Sequence, residues 1–185
     1  MMTVKRLAMI SLFLLVLFTT GCSSKPEKEA CQIDTLLVDV SAFPDNIWEE
    51  TGSRDTRGAP SRLGIERAGT SFSTATQGTA NNDIYHFDTA FEAEENYSKL
   101  QLDWFNLAPE DSVWITPVEL DSITLNADEY RLDCFQKNIE VCMFVARYHV
   151  YVVEFSTAMP VLTYNDFIRL LETIDQKMMG CLSPE

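Results

Sequence analysis

Cys134 and Cys142 constrain this chain more than any other pair of residues. Seven residues separate them, Phe135 to Val141, and the flanking stretches Glu129–Phe135 and Glu140–Arg147 are rich in strand-forming side chains. A hairpin centred on Asn138 sets the two cysteines opposite each other on one sheet face, where the Cβ separation suits a disulfide. Such a bridge requires antiparallel pairing and an oxidising compartment.

Four cysteines lie beyond Cys22: Cys31, Cys134, Cys142 and Cys181. Four allow three connectivities. The hairpin selects Cys134 with Cys142 and leaves Cys31 for Cys181, a staple between the start and the end of the domain. A loop that long favours folding by up to about 5 kcal/mol in the chain-entropy picture. A redox or metal-binding thiol set is the competing reading, and no C-x-x-C spacing supports it.

The first residues read as an address. Lys5 and Arg6 precede Leu7–Phe18, a twelve-residue run that is apolar but for Ser11. It suits a signal-peptide core and falls short of the ~20 residues that span a bilayer. Thr19-Thr20-Gly21-Cys22 follows and resembles the lipobox of bacterial lipoproteins, with Thr19 where an aliphatic residue is usual. The resemblance implies cleavage after Gly21 and lipidation of Cys22, with palmitate-class acyl chains on its sulfur and a further one on its amine. Several chains on one residue anchor stably. An uncleaved anchor helix and ordinary cleavage with a free Cys22 are the alternatives; Gly21-Cys22-Ser23-Ser24 ends the apolar run early for the first. Ser23 after the cysteine favours the outer membrane in a Gram-negative cell. The expected organisation is a signal peptide at 1–21, a polar tether at 22–30 (SSKPEKEA after Cys22) and one extracytoplasmic domain at 31–185.

The chain carries 14 Lys and Arg against 28 Asp and Glu, a formal charge of -14. Loss of residues 1–21 removes Lys5 and Arg6 and no acid, so the charge becomes -16. A phosphate backbone repels such a surface, which excludes nucleic acid as a partner, and an anionic membrane keeps it at a distance. The membrane is contacted through the acyl chains on Cys22 instead.

Within the domain, Ile33–Val40 (IDTLLVDV) reads as a first strand, broken by Pro44 and Asp45-Asn46. Trp48 seals an edge of the core. The segment 51–82 holds five of the seven glycines and reads as a long loop or a loop-rich pair of short strands. Arg54, Arg57, Arg62 and Arg67 lie in it, and Arg54–Arg67 is net +2 on a strongly acidic body. Asp83–Phe87 reads as a strand. A helix follows from Thr89, with Glu92 at capping-box spacing and an apolar face of Ala90, Ala93, Tyr97, Leu100, Trp104 and Leu107, up to Pro109. Ser112–Val118 and Ser122–Leu125 are strand-like, the cysteine hairpin comes next, and Tyr151–Phe155 follows a turn near His149. Thr163 and Asp166 start a last helix with Phe167, Leu170, Leu171, Ile174 and Met178 on one side and Gly180 as its C-cap. The fold class is α+β, an antiparallel meander covered by two amphipathic helices. This order of elements resembles the PsbP-like group of small α+β domains, which implies a binding or assembly factor more than an enzyme.

No G-x-S-x-G, G-x-x-x-x-G-K-[ST] or H-E-x-x-H occurs, and the sequence assigns no catalytic residue, cofactor or metal. His86, in a strand, and His149, at a turn, are the candidates for proton transfer and read better as structural or surface residues. Asn126, Asp128 and Glu129 lack the ligand set of a calcium loop and read as a turn. Among 28 carboxylates some pair falls at hydrolase distance by chance. The four loop arginines suit a carboxylate or phosphate, from an anionic ligand or an acidic envelope protein; pairing with the acidic body is the other role open to them. The sequence therefore favours a noncatalytic, lipid-anchored envelope domain that binds a ligand or protein, over an unrecognised envelope hydrolase and over a purely structural envelope protein.

Overall fold

A computed structural model describes residues 31–55, 66–106, 112–115 and 117–183. The signal peptide and tether expected at 1–30, together with Arg57 and Arg62, lie outside the described residues. Seven strands form one sheet: β1 (Trp48–Asp55), β2 (Glu66–Thr74), β3 (Thr79–His86), β4 (Val113–Ile115), β5 (Glu129–Gln136), β6 (Glu140–Tyr148) and β7 (Tyr151–Ala158). Helix α1 (Ala90–Asn106) follows β3, and α2 (Tyr164–Leu182) follows β7. The spatial order is β1-β2-β3-β7-β6-β5-β4, with every neighbouring pair antiparallel. Two meanders, β1–β3 and β4–β7, are thus joined along β3 and β7. Helix α1 carries the chain from the middle of the sheet to its far edge. The domain is α+β, as its sequence indicates, and no helix among the described residues is long and apolar enough to cross a membrane.

Side-chain alternation divides the core in two. Met143 and Val145 of β6, Val152 of β7 and Tyr85 of β3 pack with Ala93, Tyr97, Leu100 and Phe105 of α1. Phe144, Ala146, Val153, Phe155 and Ile84 pack with Phe167, Leu170, Leu171, Ile174 and Met178 of α2. Successive strand residues point to opposite faces, so the helices cover opposite faces of one sheet. The rings of Phe155 and Phe167 stack at 5.9 Å. Helix α2 starts with a full capping box, Thr163 accepting from the Asp166 amide and Asp166 from the Thr163 amide.

Four expectations need correction. Ser122–Leu125 is not a strand: Ser122 ends a 3-10 turn at Val118–Ser122, and the residues after it, to Leu125, carry no ladder pairing. Ile33–Val40 is not a strand; it forms 3-10 turns at Ile33–Leu36 and Val40–Ala42. Local side-chain bonds compete with a ladder there: Thr35 Oγ1 donates to Gln32 O at 2.7 Å, and the Ser41 amide donates to Asp39 at 2.9 Å. Ile33, Leu36 and Val38 still enter the core on the α2 side. Of the two readings of 51–82, the described residues contradict the long loop and come nearer the strands: β1, β2 and the first half of β3 occupy most of the segment. One face of β2 carries Ala68, Thr70 and Phe72, all buried. Its other face is Arg67, Gly69, Ser71 and Ser73, and that polar face hides the strand from a reading based on hydrophobicity. Finally, Gly180 does not end α2. The helix continues to Leu182, bringing Cys181 inward to its partner, and Ser183 closes it by donating to Met179 O from both amide (2.9 Å) and hydroxyl (2.7 Å).

Candidate functional site

The far edge of the sheet holds a cleft. Strand β4 is three residues long and, among the described residues, pairs with Cys134–Gln136 of β5. Arg131, Asp133 and Phe135 alternate along the α1 face of β5, opposite Val145, Met143 and Val141 of β6. Over them lies the end of α1, whose Phe105 is buried. The Arg131 guanidinium sits 4.0 Å above the Phe105 ring, and its Nε donates to Asp133 Oδ2 at 2.8 Å. Trp114 of β4 lies 5.9 Å from Phe105 and meets Phe135 edge-on at 5.6 Å, leaving 41% of itself exposed. Leu102, Phe105, Asn106, Trp114, Arg131 and Asp133 line a cavity of about 360 Å³. A second hollow of about 310 Å³ opens beside β5, between Ile115, Leu120, Ile123, Tyr130 and Leu132. Both volumes fall in the range of small-molecule sites, at its lower end of ~300 Å³.

A second polar group is buried in mid-sheet. Asp83 of β3 and Glu154 of β7 face each other in register and are 4% and 2% exposed. Arg67 donates to Asp83 Oδ1 from Nε (3.2 Å) and from a terminal nitrogen (3.0 Å), and lies 5.2 Å from the Tyr85 ring centre. Tyr85 donates to Glu154 Oε2 at 2.9 Å. Burial first, and the Glu154 charge second, hold the Tyr85 phenol well above its ordinary range. Burial alone would lower the Arg67 pKa, but Asp83, Tyr85 and Glu154 together outweigh it and raise that pKa. Arg67 thus pairs with Asp83 inside the fold, while Glu154 accepts from Tyr85. Beside it, Asn82 accepts from the Val38 amide (3.0 Å) and donates to Glu154 O (3.1 Å), stitching the N-terminal segment to the sheet.

Cys31 is bridged to Cys181 and Cys134 to Cys142, with Cα separations of 5.9 and 4.1 Å. Cys134 and Cys142 are direct cross-strand partners. Glu140 lies near both sulfurs, but their mutual bond leaves no thiolate to hold a metal. Of the four arginines, Arg67 pairs with Asp83, and Arg54 lies on β1 opposite Gly69 of β2. His86 stacks on Tyr151 at 4.7 Å and stands 3.5 Å from Glu66, while His149 is exposed in the β6–β7 turn at φ 54°. No nucleophile is hydrogen-bonded to either histidine ring among the described residues. Asn126 and Asp128 lie in the irregular stretch and bend that lead into β5, and Glu129 is the first residue of that strand rather than part of a turn: Asp128 and Glu129 accept from Arg147 at 3.1 and 3.0 Å, and the His149 amide donates to Asp128 at 2.6 Å. Trp48 is buried and stacks on Phe43 at 4.5 Å.

Two features escaped the sequence reading. Asp175 of α2, 5% exposed, accepts from the Asn126 amide (2.8 Å), Asn126 Nδ2 (2.7 Å) and Tyr148 (3.0 Å). Its signal was a carboxylate one residue past Ile174 on the apolar side of a helix. The cleft around Arg131 left no such sign, because α1, β4 and β5 meet only in space.

No family model matches the chain, and no curated protein matches it. Among solved structures it is similar to the extracellular domain of PknH from Mycobacterium tuberculosis. The identity is 12% and the TM-score 0.53, over 80% of this chain and 97% of that one. At that identity the likeness shows a shared fold.

Proposed function

We propose that the chain is a lipid-anchored extracytoplasmic domain that binds a ligand in the cleft between α1, β4 and β5 without transforming it. The cleft carries this reading: an aromatic wall, a guanidinium and a carboxylate converge on one cavity of ligand size. The lipobox-like leader and two disulfides support a place outside the cytosol, and the similar solved domain is described as extracellular. The test begins with Cys22→Ala, which should release the protein from membranes. The released form should bind washed envelope fragments saturably, and the pair Trp114→Ala and Arg131→Ala should weaken that binding at least tenfold. Membrane retention of Cys22→Ala would remove the anchor, and envelope binding indifferent to the cleft pair would remove the site.

A further inference from the structure

From the chemistry of this cleft we infer its ligand class, an uncharged glycan; the inference rests on the binding role proposed above. Three observations select it. First, the cleft is formally neutral, because Arg131 is matched by Asp133 at 2.8 Å. The full chain is at -14, and at -16 without residues 1–21, so a free anion is repelled. A cation finds the Phe105 face already taken by the guanidinium at 4.0 Å and is repelled by it.

Second, the polar groups are of mixed capacity. The Arg131 fork only donates, the Asp133 carboxylate only accepts, and the Asn106 amide does both. Hydroxyl groups, each a donor and an acceptor, satisfy such a set. A purely apolar ligand would cover Arg131 and Asp133 and leave their bonds to water unreplaced. Third, Trp114 offers a broad, partly exposed ring held between Phe105 and Phe135, with few rotamers left to lose. A pyranose has one apolar C–H face and a rim of hydroxyls, so it matches the ring and the polar groups together.

The experiment uses the full chain in a zwitterionic detergent without a sugar headgroup. Tryptophan emission is followed while chitotriose, cellotriose or maltotriose is added. At least one should bind saturably, with a dissociation constant at or below about 1 mM, near -4 kcal/mol. Trp114→Ala and Asp133→Asn should each weaken binding at least tenfold, while Trp104→Phe leaves it within twofold. Asp133→Asn keeps the shape of the site, and its thermal unfolding shows whether a loss comes from misfolding. A trigalacturonate probe should bind at least tenfold more weakly than the neutral sugars. No binding of any neutral trisaccharide, or tighter binding of the acidic one, overturns the glycan assignment. Envelope binding that still depends on Trp114 would then leave the binding role standing with a different ligand, such as a peptide.

Discussion

The two disulfides differ most in the lengths of chain they close, and that difference sets a measurable ratio. Cys31–Cys181 spans a sequence separation of 150, and Cys134–Cys142 one of 8. If a bridge acts mainly on the unfolded chain, the entropy relation gives about 5 kcal/mol for the first and about 2.5 kcal/mol for the second at 25 °C. The short bridge lies inside the longer loop and scarcely shortens it, so the two effects should add. The comparison needs two double variants, each keeping one bridge: Cys134→Ala with Cys142→Ala, and Cys31→Ala with Cys181→Ala. For each, urea unfolding is measured oxidised and reduced. The sulfur atoms of the remaining pair are present in both states, so their burial cancels. Reduction should cost about 5 kcal/mol in the variant that keeps the long bridge and about half that in the other. The urea slope should also rise more when the long bridge is cut, because the unfolded chain then expands further. Equal losses, or a larger loss from the hairpin bridge, would refute the entropic reasoning.

Other substitutions probe the folded state. Asp175→Ala leaves the buried Tyr148 hydroxyl without its acceptor and returns the exposed Asn126 donors to water, and should cost about 3 kcal/mol in a urea melt, against about 1 kcal/mol for Asn126→Ala. Phe167→Ala, at a fully buried ring stacked on Phe155, should cost about 4 kcal/mol. The Tyr164 phenol is pushed up to about 12 by burial and by its 2.6 Å bond to Glu140. Absorbance titration at high pH should show it moving down toward 10.0 in Glu140→Gln. Tyr164 is protonated in the folded state where the unfolded chain has begun to ionise. Its contribution is therefore complete below pH 10 and disappears as pH rises through about 12. Tyr85 and Tyr148 are raised in the same direction, so stability should fall together with Tyr164 ionisation on the alkaline side.

Legibility followed the range of the interactions. The cysteine hairpin, both helices and the apolar side of α2 could be read because each is written in residues near one another in sequence. Phe167, Leu170, Leu171, Ile174 and Met178, spaced by three and four, are all completely buried. Strand β2 resisted because the sheet face it presents toward Asp83 is Arg67, Gly69, Ser71 and Ser73, with no hydrophobic alternation to count. The N-terminal segment looked like a strand because Leu36 and Val38 are apolar, yet the same residues serve as a plug held by Asn82 from β3. The cleft depended on α1 crossing to the far edge, a long-range choice that no local pattern records. Buried charges such as Glu154, set in the apolar run YVVEF, were visible as letters but not as a partnered group.

The bond between Cys31 and Cys181 also governs how the domain meets mechanical load. A pull on whatever precedes Cys31 passes through a covalent link straight to the last turn of α2. Peeling from that end is blocked, because tension cannot draw out the first segment without dragging the closing helix with it. Resistance to tugging at the front of the molecule is therefore set by a sulfur–sulfur bond, and a reductant would convert a firm mooring into one that unravels.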